Sequence, residues 1–256
     1  MASSPWKFFD VDESQKAGEG CASLDALAPK RAQLYYVFVM NVSNPATVLI
    51  SDLEAAVLSV LTRTTQPMTG RQIARMAEKS EHGTRETLRR FVEHGLVRRE
   101  DLSVGALYKL NRDHLAFELV VSLSELRQKL IRCVCMEMAR WETMPTSAYI
   151  FGSFARGDGD ITSDIDLLIV RPRDISADAG AWRDQVANLR SKVLGWTGNE
   201  CSILEIAESM VSHLATDRPD LANSLARDGI LVAGTALKEP FMLNRWQLID
   251  DERKGY

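Results

Sequence analysis

Apolar residues settle into a helical rhythm at Asp52. In "SDLEAAVLSVLTRT", Leu53, Val57, Leu58, Val60 and Leu61 recur at three- and four-residue steps, with Ser51 or Asp52 placed to cap the start. "QPMTGRQIARMAE" predicts a second helix, where Thr69 and Gln72 form a capping-box pair and Ile73, Ala74 and Ala77 give an inner face. "KSEHGTRETLRRFVEHGL" predicts a third, with Leu88, Phe91 and Val92 inward and Gly95 as its stop. Two strand-like runs follow, "LVRRE" and "ALYKL", joined by "DLSVG" with Gly105 in the turn.

From His114 to Met144 a long helical pattern carries Leu119, Leu123, Leu126, Leu130, Val134, Met138 and Trp141 on one stripe. It reads as core, a linker helix broken near Ser122–Ser124, or a dimer-forming helix, and Pro145 ends it. Beyond it the rhythm shortens. "AYIF" is a strand, "SDIDLLIV" a second, "ECSILEIA" a third and "ILVAG" a last. A helix with Trp182, Val186, Leu189 and Val193 inward separates the second strand from the third, and short helices precede the fourth.

Helix, helix, turn, helix, hairpin is the order of a winged helix-turn-helix, whose third helix enters a major groove. On that helix Thr84, Arg85, Thr87, Arg89 and Arg90 fall off the apolar stripe, and Arg85 and Arg89 are one turn apart. Arginine reads guanine edges or clamps phosphates. Arg98, Arg99 and Lys109 on the hairpin are placed for the DNA backbone. The alternative is a solvated charged face in which Glu86 and Glu93 pair with the arginines. Charge shifts the balance mildly toward DNA: residues 52–114 hold 11 Lys and Arg against 9 Asp and Glu, while residues 146–256 hold 12 against 17.

Other classes drop out. The longest apolar run, Leu34–Met40, is too short to span a bilayer, so no membrane role is expected. Cys21, Cys133, Cys135 and Cys201 have neither CxxC nor metal-ligand spacing and suit packing in a reducing cytoplasm.

The chemistry sits in "FGSFARGDGDITSDIDLLIV", Phe151 to Val170. Gly152-Ser153 turns into one helical turn, where glycine lets a phosphate approach the backbone and the Ser153 hydroxyl adds a hydrogen bond. Arg156 can pair with that phosphate or support the turn. In the next strand Asp164 and Asp166 point to one face, about 7 Å apart, and would repel if left unpaired. Mg²⁺ resolves that, since it takes hard oxygen ligands together with phosphate oxygens. The pair and the turn therefore predict a metal–nucleoside triphosphate site, with Ser163 beside it.

The Gly-Ser…Asp-x-Asp pattern resembles the signature of DNA polymerase beta-like minimal nucleotidyltransferases, and the front of the chain resembles winged-helix repressors. The resemblance covers roughly residues 45–235. It implies that Gly152 and Ser153 contact an NTP and that Asp164 and Asp166 hold two Mg²⁺. It also implies transfer of an NMP to a hydroxyl of a protein, RNA or small molecule. A third carboxylate is expected on "ECSILEIA". The position aligned for it falls near Ser202, and a bulge or a changed register would be needed to bring in Glu205, the expected third acid. Trp196, Thr197 and Asn199 could touch base or acceptor, but a packed turn fits them better.

The expected fold class is α+β. Residues 1–44 form a partly disordered extension, 45–114 a winged helix-turn-helix domain, 115–145 a long connecting helix and 146–256 a small mixed-sheet nucleotidyltransferase domain. The expected partners are double-stranded DNA, an NTP, an unknown acceptor and a second copy in a homodimer. The alternative is a transcription regulator whose nucleotidyltransferase fold senses nucleotide or has decayed; one half of a toxin–antitoxin pair is a further reading.

Overall fold

A computed structural model describes residues 39–237 of the chain. The expectations for residues 1–38, including most of the Leu34–Met40 run, and for residues 238–256 lie outside the described residues.

After a 3-10 turn at Pro45–Val48, helix α1 spans Asp52–Thr62. Ser51 caps it: its hydroxyl accepts from the Glu54 amide at 3.3 Å, and the Glu54 carboxylate accepts from the Ser51 amide at 2.8 Å. Strand β1 is only Met68–Thr69, and helix α2 (Gly70–Met76) starts on the expected Thr69–Gln72 capping box. Helix α3 runs Glu81–Glu93 behind the Ser80 cap. Strands β2 (Val97–Asp101) and β3 (Ala106–Leu110) pair antiparallel, turning at Gly105 with φ +92°. β1 pairs with the other edge of β3. Val57, Leu61, Ile73, Leu88, Val97 and Leu110 close this unit's core. Each such side chain contributes about 1.5–3 kcal/mol by leaving water.

The predicted long connecting helix is two helices, α4 (Phe117–Ser124) and α5 (Leu126–Met138), broken at Glu125. The Ser124 hydroxyl donates to the Val120 carbonyl at 2.9 Å, a back-bond that bends helices. On α4 the buried residue is Val120, while Leu119 is 68% exposed, so the predicted stripe is off by one there. α4 packs on α1, and α5 packs on the second sheet.

That sheet is built from β4 (Ser147–Phe151), β5 (Ile165–Arg171), β6 (Cys201–Ala207) and β7 (Ile230–Gly234), in the order β6-β5-β4-β7. Only β5 and β6 are parallel. Helix α6 (Gly152–Arg156) follows β4, and α7 (Gly180–Thr197) connects β5 to β6. A 3-10 turn at Glu208–His213 and helices α8 (Leu214–Asp217) and α9 (Pro219–Asp228) precede β7. One face of the sheet, with Ile150, Ile165, Leu167 and Ile169, packs against α5 and α7 through Val134, Met138, Trp182 and Leu189. The other face, with Tyr149, Leu168 and Val170, takes Leu214, Ala222 and Leu225. Val42 is fully buried in the first of these cores, so residues 40–43, assigned above to the extension, pack into the C-terminal domain.

Candidate functional site

Asp166 lies in β5 on the face shared with Leu168 and Val170, and Asp164 comes just before the strand on the same side. Asp166 is half-buried and Asp164 exposed. Burial pushes the Asp166 carboxyl above the usual carboxylate range, and Asp164 adds to the rise, while Arg156 pulls it down. In register with Asp166 across the antiparallel pair is Phe151, and the chain turns at the next residue. Gly152 has φ +71°, and a Cβ built on it would run into the Asp166 carboxylate. No other residue can hold this turn so close to the acid.

The turn and its loop are tied down from three sides. Gly157 closes α6 with φ +81°, and its amide donates to the Ser153 carbonyl at 2.9 Å. Arg127 of α5 donates through Nη2 to the carbonyls of Phe154 (2.7 Å) and Ala155 (2.8 Å). The Ser43 hydroxyl donates to the Gly159 carbonyl, and Val42 fills the space against Gly159. The Ser163 hydroxyl is engaged inside the loop, accepting from the Asp160 amide at 2.9 Å. Arg156 is exposed and pairs with Asp158 at 2.9 Å, which holds its pKa above the ordinary arginine value.

Asn199 is the residue that sequence reasoning undervalued. It is 2% exposed, and its amide donates to the carbonyls of Ser163 and Met40, both at 3.0 Å. Its side-chain oxygen accepts from the Met40 amide at 3.0 Å. Thr197 is buried alongside, donating to Val193 at 2.8 Å, so the pair forms a packed turn that fixes the residue before Asp164.

The third acid is not brought in. β6 runs in unbroken parallel register with β5, placing Ser202 beside Asp166. The Ser202 hydroxyl donates to Asp164 at 3.0 Å. Glu205 stands opposite Ile169, three residues along, and so faces the other side of the sheet. There it accepts from Arg171 Nε at 2.6 Å. No bulge shifts the register, and Glu205 is corrected to a structural ion-pair residue.

Asp164 and Asp166, two carboxylates on one face with no basic side chain bonded to either among the described residues, fit a divalent cation bound together with phosphate oxygens. Among the described residues no group of three or more His, Cys, Asp or Glu is gathered closely enough to hold a metal ion.

On the N-terminal unit a groove of about 840 Å³ runs between α3 and the β2–β3 hairpin. Arg71, Arg85, Arg89 and Arg99 line it, together with Glu81, Glu86 and Glu93. Arg89 is held by Glu86 and Glu93, both at 2.8 Å, Arg90 by Glu54, Arg98 by Asp113 at 2.5 Å and Arg99 by Asp101 at 2.6 Å. Arg85 and Lys109 are exposed. Thr84 and Thr87, both expected off the apolar stripe, are buried, and the Thr84 hydroxyl has no partner among the described residues. Thr84 falls four residues before Leu88 and seven before Phe91, which puts it on the inner stripe.

A Gly-Ser turn abutting an acid pair on a four-stranded mixed sheet defines a nucleotidyltransferase-like C-terminal domain. In agreement, residues 129–209 match the family described as the nucleotidyltransferase domain. Among solved structures, the chain is similar to human N-acetylserotonin methyltransferase in complex with SAM at 17% identity and a TM-score of 0.26, over 39% of this chain and 32% of that one. It spans about a third of the methyltransferase's length. It is similar to a toxin–antitoxin with AMP-PNP at 18% identity and a TM-score of 0.28, over 50% of this chain and 92% of that one. A mutant of the toxin–antitoxin MntA–HpeT is similar at 18% identity and a TM-score of 0.29, with the same coverage. No curated protein matches the chain. Among the described residues no helix is long and apolar enough to cross a membrane.

Proposed function

We propose that the protein is a DNA-binding regulator whose C-terminal domain binds a nucleoside triphosphate and has little or no transfer activity. The observation that carries this reading is Ser202: a hydroxyl, bonded to Asp164, occupies the register position beside Asp166 where a third acid would stand. A general base must reach the acceptor hydroxyl, and Glu205 lies on the wrong face to do so. Gly152 and Ser153 receive the phosphates, and Asp164 and Asp166 hold Mg²⁺, which neutralises phosphate charge. The N-terminal unit, with the helix order of a winged helix-turn-helix, presents Arg85 and Lys109 to DNA, with the paired arginines released to phosphates on contact. A homodimer would match a palindromic operator.

A second reading keeps the enzyme. The intact Gly152-Ser153 turn and acid pair favour Mg²⁺-dependent transfer of an NMP to a protein, RNA or small-molecule hydroxyl.

One experiment separates them. Wild type and a D164N/D166N variant are incubated with each α-labelled NTP, Mg²⁺ and cell extract, and NTP binding is measured in parallel. Binding without transfer supports the regulator. Label transferred by wild type alone supports the enzyme, and absence of binding sinks both. Selection of bound sequences from random duplex DNA, with Arg85→Ala as comparison, tests the DNA arm. Arg85→Ala should weaken binding, and unchanged affinity would remove Arg85 from the DNA face.

A further inference from the structure

Arg127 stands at the start of α5, outside the strand–turn–strand motif that carries the acids. Its Nη2 donates to Phe154 O at 2.7 Å and Ala155 O at 2.8 Å, and Nε reaches Phe154 O at 3.3 Å. Its guanidinium carbon lies 5.1 Å from the centroid of the Phe154 ring, itself fully buried. One planar fork thus grips two successive carbonyls and lies over the ring of the first of the two residues, a combination open to arginine and closed to lysine. Burial, and then the neighbouring Arg63, oppose the charge and hold its pKa below the ordinary arginine value. A charge is kept there against both.

Helix α6 has five residues, too few to hold its own shape. At its start Gly152 lies against Asp166, and a small roll of the turn would break that approach. Arg127 grips the other end. We propose that Arg127 is a positioning residue of the nucleotide site, setting the angle at which Gly152 and Ser153 face Asp164 and Asp166 without touching the nucleotide. The inference rests on the nucleotide-binding reading above.

The test uses the full chain as wild type, R127A and R127K. Binding of ATP, CTP, GTP and UTP with Mg²⁺ is followed by calorimetry, alongside melting temperature. The expected result is that R127A binds the preferred nucleotide roughly tenfold more weakly, the loss typical of residues that orient a ligand-bearing group. R127K falls between R127A and wild type. Low millimolar methylguanidinium restores much of the R127A affinity and leaves wild type unchanged, which a loss of mere packing would not permit. If R127A does not fold, R127K carries the test: near-wild-type melting with weakened binding supports the proposal. Equal affinity in all three proteins overturns it, as does weakened binding that only tracks melting temperature and ignores methylguanidinium. Wild type that binds none of the four nucleotides overturns both this inference and the nucleotide reading.

Discussion

Replacing Ser202 with aspartate builds a three-acid cluster and tests the reading at its centre. The Ser202 hydroxyl is 3.0 Å from Asp164, so a carboxylate there would sit at near contact with it and beside Asp166. Two unit charges 4 Å apart repel by about 1 kcal/mol in water and about 4 kcal/mol at an effective dielectric of 20. Ser202 and Asp164 are both exposed, which favours the lower part of that range. The lost hydrogen bond to a charged acceptor adds to the cost, at the low end of about 1.5–3 kcal/mol because water replaces it. Without metal, S202D should therefore be less stable than wild type by about 2–3 kcal/mol. For a chain of this size that is a fall of about 4–12 °C in melting temperature. Mg²⁺ reverses the sign, because the charges that repelled each other become ligands. Thermal melts of both proteins in EDTA and in a Mg²⁺ series read this directly. S202D should start below wild type and gain more on adding Mg²⁺, and it is the variant in which NMP transfer would first appear. Equal melting curves in EDTA, with equal response to Mg²⁺, would show that position 202 does not face the acid pair and would refute the reasoning.

Three further outcomes follow from the same geometry. G152A should lose about 2–4 kcal/mol, from a left-handed φ and a Cβ driven into Asp166, and should lose NTP binding as well; denaturant midpoints and calorimetry check both. N199A removes the donor to the Met40 and Ser163 carbonyls, while the Met40 amide keeps its bond to the Thr197 carbonyl, and should cost about 2–4 kcal/mol, read as a shifted urea midpoint at constant slope. Asp52 has its pKa held below the usual carboxylate value, first by its hydrogen bond with Lys79 and then by Asn44. A depressed folded pKa means stability that is present above the unfolded value and lost as pH falls through the folded one. The melting-temperature gap between wild type and D52N should thus be open at neutral pH and close as pH falls below about 4; a gap that persists in acid would rule this linkage out.

What could be read in advance, and what could not, follows from the range of the physics involved. The Gly152-Ser153 turn and the Asp164–Asp166 pair are local: a tight turn and a period of two are written in a few consecutive residues, although the strand starts later than the pattern puts it, at Ile165. The capping boxes at Ser51 and Thr69 are local in the same sense. Phase is harder. Thr84 reads as lying off the apolar stripe, yet its spacing from Leu88 and Phe91 places it in the core, where packing overrides a hydroxyl with no partner among the described residues. Register is harder still. That β6 presents Ser202 and turns Glu205 away depends on how two strands separated by an 18-residue helix slide against each other. The composition of β6 alone does not decide it. Asn199 lies furthest beyond reach: it bonds to Met40, 159 residues away, and only the folded chain shows that a polar residue after a helix is the clamp on the loop before the acids. Both ends of the acid-bearing loop are thus held by residues from outside its motif, Arg127 and Ser43 at one end and Asn199 at the other. The motif supplies the carboxylates, but the angle they present to a ligand is set by the packing of chain segments far from it in sequence.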